Sequence, residues 1–131
     1  MLLHEVPGRT RVVIESSQNL ESLFQMSQRL FSLWNLSPAD QVAVLGVARL
    51  DGWMSGMTES VEPELFERLG HIFGIHKSLR LLFPQNRELA YRWISAPNKA
   101  FGGLSPVEFI KGRGVGGLVI VRSYLNRASG I

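Results

Sequence analysis

The chain of 131 residues carries 45% hydrophobic and 19% charged side chains, the composition of one folded domain or of two small subdomains that share a core. It contains no cysteine, which excludes disulfides and thiolate metal sites. No apolar run approaches the roughly 20 residues that a transmembrane helix requires. The first residues do not fit a signal peptide, because a glutamate comes early and no long apolar run follows it. We therefore expect a soluble, cytoplasmic protein.

The net charge of +3 is distributed unevenly along the chain. Residues 84–131 contain seven basic and two acidic side chains, a net charge of +5. Residues 37–83 contain four basic and six acidic side chains, a net charge of −2. The positive carboxy-terminal third is therefore expected to attract an acidic partner, either a protein or a nucleic acid.

The amino-terminal part of the chain predicts an arm followed by a helix. Residues 1–18 are loosely patterned, and the stretch "TRVVIES" within them fits either a short strand or an extended arm. From Asn19 to Trp34, apolar residues recur at steps of three and four, which predicts an amphipathic helix.

A new helix start is predicted at "LSPAD", and it opens a pattern of two short helices. Ser37 is the expected N-cap, Pro38 occupies the first helical position, and Asp40 completes a capping-box-like pattern. This helix is predicted to stop near Gly46. The next stretch, "ARLDGWMSG" at residues 48–56, predicts a second short helix, so the pair resembles a helix-turn-helix.

A DNA-binding helix-turn-helix would place its second helix in the major groove. Arg49 and Trp53 are the candidate DNA-binding residues there. Asp51 and the negative charge of the surrounding segment oppose the phosphate contacts that dominate DNA affinity. The residues alone leave two alternatives open, a working DNA-binding unit and a purely structural one.

Prolines and capping residues delimit the remaining predicted helices. A long helix follows "SVEPE" and ends before Pro84. Asn86 is the expected cap of the next helix, which stops before Pro97 and a glycine-rich turn. A second capping pattern consists of Ser105, Pro106 and Glu108. The last helix is predicted over Leu118–Arg127, with "LVIV" as a buried segment, and the predicted fold class is all-α.

The stretch "GRGVGG", residues 112–117, matches the dinucleotide-binding pattern G-x-G-x-x-G letter for letter. That pattern needs a preceding strand, a following helix and an acidic residue about 20 positions later. Only 14 residues follow here, and none of them is acidic. We therefore predict a flexible helix–helix connection that directs the last helix, with no cofactor.

The sequence contains no recognisable active site or metal site. His71 and His76 are five residues apart on a predicted helix and so lie about 140° apart around its axis, unlike a pair of metal ligands. The acidic pair Glu62 and Glu64 falls in a first helical turn, where the helix dipole favours negative charge. We expect no catalytic residue, no metal and no enzymatic activity.

The stretch "AYRWISAPNKAFGGLSPVEFIKG" resembles the toxin-binding domain of the Xre/MbcA/ParS antitoxin family. The family pattern is a tryptophan helix, a Pro-Asn pair, a hydrophobic residue with paired glycines, a second proline and a closing helix. "VRSYLNRASGI" also resembles the family's ending, and residues 37–83 resemble its Xre-like helix-turn-helix and connecting helix more weakly. The matching residues in the first stretch are Trp93, Pro97, Asn98, Phe101, Gly102, Gly103 and Pro106.

This resemblance implies an antitoxin that binds and blocks a RES-domain toxin, an enzyme that consumes NAD. The terminal helix would reach into the toxin's active-site cleft, and the candidate inhibitory residues are Arg122, Leu125, Arg127, Gly130 and Ile131. The resemblance also implies a homodimer or a larger complex with the toxin, and repression of the protein's own operon. The alternative is a stand-alone helix-turn-helix transcriptional regulator.

The residue pattern and the resemblance, which covers about residues 37–131, together divide the chain into three expected parts. Residues 1–18 form the arm, residues 19–83 form the helix-turn-helix region with its connecting helix, and residues 84–131 form the toxin-binding subdomain.

Overall fold

The computed structural model describes residues 3–5, 12–14, 17–48, 60–61 and 63–130. Its described part is built mainly from helices, so the predicted all-α class is confirmed. The helices are α1 (Ser17–Leu33), α2 (Pro38–Leu45), α3 (Pro63–Leu82), α4 (Arg87–Arg92), α5 (Pro106–Arg113) and α6 (Val115–Ser129). Two single turns of 3₁₀ helix, Trp93–Ser95 and Lys99–Phe101, lie between α4 and α5.

A small antiparallel sheet contacts α1 through its middle strand. Its strands are β1 (Leu3–Glu5), β2 (Val12–Ile14) and β3 (Ser60–Val61), in the order β1-β2-β3. Val13 pairs with His4 on one side and with Ser60 on the other. Strand β2 falls within "TRVVIES", so the structure takes the strand alternative for that stretch.

The predicted helix starts are confirmed by their capping bonds. Ser37 Oγ accepts a hydrogen bond from the Asp40 backbone N–H at 3.1 Å. Asn86 Oδ1 accepts from the Leu89 N–H at 3.0 Å, and Ser105 Oγ accepts from the Glu108 N–H at 3.2 Å. Each cap satisfies an amide that would otherwise lack a partner in the first helical turn.

The core forms where α3 packs along α6, with α5, α2 and the end of α1 around them. The largest fully buried side chains come from all of these helices, which makes one continuous apolar cluster. They include Phe31, Leu45, Ile72, Ile75, Leu79, Ile110, Leu118 and Leu125.

The expected connection at "GRGVGG" is reduced to a single residue. Gly114 is the only residue of the stretch outside a helix, and its φ of 62° lies in the left-handed region that favours glycine. The prediction of a flexible loop was therefore wrong, and α6 starts at Val115 rather than at Leu118. Gly117 is buried, and a Cβ there would lie 2.9 Å from the Ile110 Cα, so its role is close packing between α5 and α6.

The interpretation of "LVIV" as a buried segment was half right. Leu118 and Val121 are fully buried, whereas Val119 and Ile120 are 40% and 46% exposed. At 100° per residue, Leu118 and Val121 lie on the buried face of α6, whereas Val119 and Ile120 lie on its solvent-exposed face.

The second helix of the expected helix-turn-helix lies outside the described residues, as do its candidate DNA contacts Arg49 and Trp53. The first helix, α2, ends as expected at Gly46, which adopts a left-handed φ of 70°. Among the helices that the structure describes, none is long and apolar enough to span a membrane.

Candidate functional site

An aromatic cluster holds the segment between α4 and α5 in place. Trp93 stacks on Tyr124 of α6, with ring centroids 6.2 Å apart, and meets Phe101 edge-on at 6.1 Å. Phe101 also contacts Phe109 at 5.0 Å, and it is almost fully buried. Trp93 remains half-buried, so one part of this cluster reaches the surface.

Asn98 closes the turn that carries the paired glycines. Its side-chain oxygen accepts from the Ala100 N–H at 2.9 Å, and its backbone N–H donates to the Leu104 carbonyl at 3.0 Å. Gly102 and Gly103 both have positive φ, at 68° and 88°, and both are exposed. The glycine pair is required by the backbone conformation of this turn, and it leaves two exposed positions of the turn without a side chain.

Arg122 of α6 lies across α3. Its guanidinium occupies the space that a side chain at Gly74 would need. One terminal nitrogen, Nη1, lies 3.2 Å from His71 Nδ1. Since arginine can only donate, Nδ1 of His71 is the acceptor in this hydrogen bond, and its Nε2 lies 3.6 Å from a Glu67 carboxylate oxygen.

The other residues of the carboxy-terminal ending divide between the core and the surface. Leu125 is buried in the core. The neighbouring Asn126 accepts a 2.8 Å hydrogen bond from Ser78 of α3, which fastens this turn of α6 in place. Arg127 and Gly130 are exposed, and Ile131 lies outside the described residues.

Exposed apolar side chains flank these positions, and none of them is among the candidate site residues predicted from the sequence. They are Leu104 beside the glycine turn and Val119 and Ile120 on α6. Arg127 lies on the same face of α6 as Val119 and Ile120, because eight and seven residues correspond to about two turns. The helical period of the sequence predicts this exposure. Leu118, Val121 and Leu125 define one buried face of the helix, and Val119 and Ile120 lie outside that face.

Arg68 joins α3 to the end of α2 and to the α5–α6 break. It is buried, its Nη1 donates to the Val44 carbonyl at 3.2 Å, and its Nε donates to Glu64 at 3.2 Å. A Cβ at Gly46 would lie 2.6 to 2.9 Å from its guanidinium, and one at Gly114 would lie 3.2 Å from it. A second link, from Lys111 to Asp40 at 2.7 Å, ties α5 to α2 and raises the pKa of the lysine.

The histidines show no metal-site geometry within the described part of the chain, where no three His, Asp or Glu side chains converge. His76 stacks on Tyr91 of α4, with ring centroids 6.2 Å apart. Burial and the neighbouring Arg80 lower the pKa of His76 below 6.5.

Comparison with known proteins supports the resemblance seen in the sequence. The family of the "Antitoxin Xre/MbcA/ParS C-terminal toxin-binding domain" matches residues 78–130. The chain is also similar to an uncharacterized protein, y4oB, of Sinorhizobium fredii (strain NBRC 101917 / NGR234). The two are 34% identical over 114 residues, which cover 85% of this chain and 84% of that protein. No solved structure matches the chain significantly.

Proposed function

The chain belongs to the Xre/MbcA/ParS antitoxin family, and from this premise we propose that it blocks a RES-like, NAD-consuming toxin through its terminal helix. The family is one of toxin-binding proteins and not of enzymes. The toxin partner follows from the family, while the RES class and the manner of inhibition are our proposal. The observation that carries it is the outer face of α6, where Val119 and Ile120 are exposed beside Arg127.

The candidate residues take two kinds of role in this proposal. Five are exposed and are candidates for direct toxin contact, namely Pro97, Gly102, Gly103, Arg127 and Gly130. Ile131, which lies outside the described residues, is a further candidate from the sequence alone. The others act by positioning, because they are buried or half-buried in contacts within the chain, and these are Trp93, Asn98, Phe101, Pro106, Arg122 and Leu125. The exposed Leu104, Val119 and Ile120 add an apolar centre to the surface group, the kind of anchor on which interface affinity depends.

Co-expression with a RES-type toxin tests this proposal through bacterial growth. Ile120→Asp places a charge at the centre of the proposed contact and should abolish rescue. Leu89→Asp is the matched control, because Leu89 is also an exposed apolar helix residue, at 37%, and is absent from the proposed contact. Rescue that persists with Ile120→Asp, or that Leu89→Asp removes equally, would contradict the proposed surface. Truncation after Val121 is less informative because it also removes the buried Leu125.

We also propose that the helix-turn-helix represses the protein's own operon as a homodimer or a larger complex with the toxin. The support is the capped helix α2, which has the predicted bounds, followed by a segment that carries Arg49 and Trp53. The division into an arm at 1–18, a helix-turn-helix region at 19–83 and a toxin-binding subdomain at 84–131 belongs to this proposal. Electrophoretic mobility shifts with operator DNA test it: Arg49→Ala should weaken binding, and unchanged binding would exclude the assigned helix.

A further inference from the structure

A cleft of about 380 Å³ lies between α1, α3 and α4, and none of its lining residues belongs to the proposed toxin contact. Three arginines line it, one from each helix: Arg29 from α1, Arg80 from α3 and Arg87 from α4. The cleft is at the small end of the range in which proteins bind ligands, about 300–1,000 Å³, so it has room for a few anchoring side chains.

Within the described part of the chain, the three arginines have no acidic partner. No carboxylate lines the cleft, and no salt bridge to these arginines occurs among the residues that the structure describes. Two buried atoms of the lining, Arg80 Nη1 and His76 Nδ1, also find no hydrogen-bond partner there. Buried polar atoms are nearly always paired in folded proteins, and like charges repel when they share one site. An anionic occupant would relieve the repulsion among these charges.

The rest of the lining is apolar and follows a helical pattern. Met26, Leu30 and Leu33 of α1 occur at spacings of four and three residues along one side of the cleft. Met26 and Leu33 are 53% and 44% exposed, although both are large hydrophobic side chains. Phe73 of α3 also lines the cleft. An apolar strip bordered by cations is complementary to an amphipathic helix whose apolar face is flanked by acidic residues.

We propose that this cleft is a docking site for an acidic amphipathic helix of a protein partner. Apolar side chains of that helix contact Met26, Leu33 and Phe73, and its carboxylates pair with the three arginines. A nucleic-acid strand fits less well, because its phosphates would pair with the arginines but gain nothing from the apolar strip on α1. One face of Tyr91, an aromatic ring of the lining, already stacks on His76 and is less available to a base.

The test uses the full chain and a fluorescein-labelled peptide of about 15 residues, the length at which an isolated helix becomes marginally stable. The peptide carries leucines at spacings of three and four with glutamates beside them. Two control peptides replace the glutamates by lysines or the leucines by serines. Fluorescence anisotropy should show binding of the first peptide only, and added salt should weaken that binding because exposed charge pairs are screened.

The variant Arg29→Glu/Arg87→Glu should reduce the peptide affinity about tenfold, because it removes two ion pairs and places like charges against the glutamates of the peptide. Arg92→Glu is the matched control: Arg92 lies on α4 with Arg87, is exposed, and is absent from the cleft. It should change the affinity less than about twofold. Thermal denaturation checks that both variants fold, and amide chemical shifts should move at Leu33 and Tyr91 when the peptide binds.

Several outcomes would overturn the proposal. They are no binding at millimolar peptide, equal binding of the lysine peptide, and equal loss with Arg92→Glu. A single-stranded oligonucleotide that binds through Arg29 and Arg87, while the peptide does not, would assign the cleft to nucleic acid instead. Toxin neutralisation by Arg29→Glu/Arg87→Glu should remain normal, because neither arginine belongs to the proposed toxin contact. Failure of the peptide-binding test would therefore not contradict the proposed antitoxin surface.

Discussion

Helix α3 has arginines against both of its faces, and their surroundings differ completely. On one face, Arg122 lies over Gly74 and contacts His71, and Ser78 binds α6. The other face, about 160° away, carries Arg80 into the unpaired cleft. The difference teaches how this fold accommodates large cations. An arginine is held within the fold where a glycine leaves space for its guanidinium and a nearby group accepts its hydrogen bond. An arginine that has neither is available to bind a partner.

Arg68 is the extreme case of a built-in arginine, and replacing it should have the largest effect. Arg68→Ala removes the buried donor to the Val44 carbonyl and the packing of its side chain between Gly46 and Gly114. A buried acceptor left without a partner costs about 1–3 kcal/mol, so we expect a loss of about 3 kcal/mol with the lost packing included. Urea denaturation measures it.

Arg87→Ala is the comparison for Arg68→Ala, because it replaces an exposed arginine instead of a buried one. Arg87 is exposed and lines the cleft, with no salt bridge among the described residues. Substitution of such a surface residue should change the free energy of unfolding by less than about 0.5 kcal/mol. Equal losses at Arg68 and Arg87 would remove the distinction between built-in and free arginines.

Gly46 tests whether the space beside Arg68 is needed. Gly46→Ala strains a backbone with φ 70° and also drives a Cβ into the Arg68 guanidinium. Gly102→Ala is the matched control, because its φ of 68° imposes the same strain but a Cβ there meets nothing within 4 Å. The strain alone costs about 1–2 kcal/mol. Gly46→Ala should cost about 1 kcal/mol more, the value of a typical hydrogen bond that the displaced arginine gives up. Equal losses in urea denaturation would show that Arg68 moves without cost.

Gly74 provides a smaller test at Arg122. Alanine is favoured over glycine inside a helix by about 1 kcal/mol, so Gly70→Ala, where a Cβ meets nothing within 4 Å, should stabilise the protein by about that amount. Gly74→Ala gains the same preference but expels the Arg122 guanidinium from its place against α3. We expect a net change near zero in the thermal denaturation midpoint.

The same substitution separates two roles for Arg122 in toxin inhibition. If Arg122 positions α6, as its contact with His71 indicates, Gly74→Ala should weaken growth rescue and Gly70→Ala should not. Rescue that is unchanged or improved by Gly74→Ala would instead favour Arg122 as a direct toxin contact that works best when it is free of α3.

The sequence predicts the parts of this fold that depend on neighbouring residues. Helix starts at Ser37, Asn86 and Ser105 follow from a side-chain oxygen that reaches an amide three residues later, so a local pattern is sufficient. The resemblance to the antitoxin family has the same origin, since its tryptophan, proline and glycine pattern is contiguous. The exposure of Val119 and Ile120, on which the proposed toxin contact depends, could also be predicted from the helical period alone.

The parts that were missed depend on residues far apart in the chain. The bond from Arg68 to Val44 spans 24 positions and the bond from Ser78 to Asn126 spans 48. The glycines in "GRGVGG" predict a loop from the sequence alone. The close packing of Gly117 against the Ile110 backbone, which explains a glycine inside a helix, appears only in the structure. The cleft collects its arginines from three separate helices, so no single stretch of sequence indicates it.

The smallest expected effect is the pH dependence that the cleft confers through His76. Burial and Arg80 lower the pKa of His76 in the folded protein below its usual 6.5, so the unfolded chain binds a proton more readily as the pH falls. The stability that the neutral imidazole contributes is present above pH 6.5 and is lost as the pH falls through 6.5 toward the lower folded pKa. The urea midpoint should therefore be lower at about pH 5.5 than at about pH 7.5, a range in which His is the side chain that ordinarily titrates. His76→Gln should show a smaller decrease, and His71→Gln controls for the imidazole on the opposite face. If His76→Gln shows the full decrease, His76 is not the source of the pH dependence.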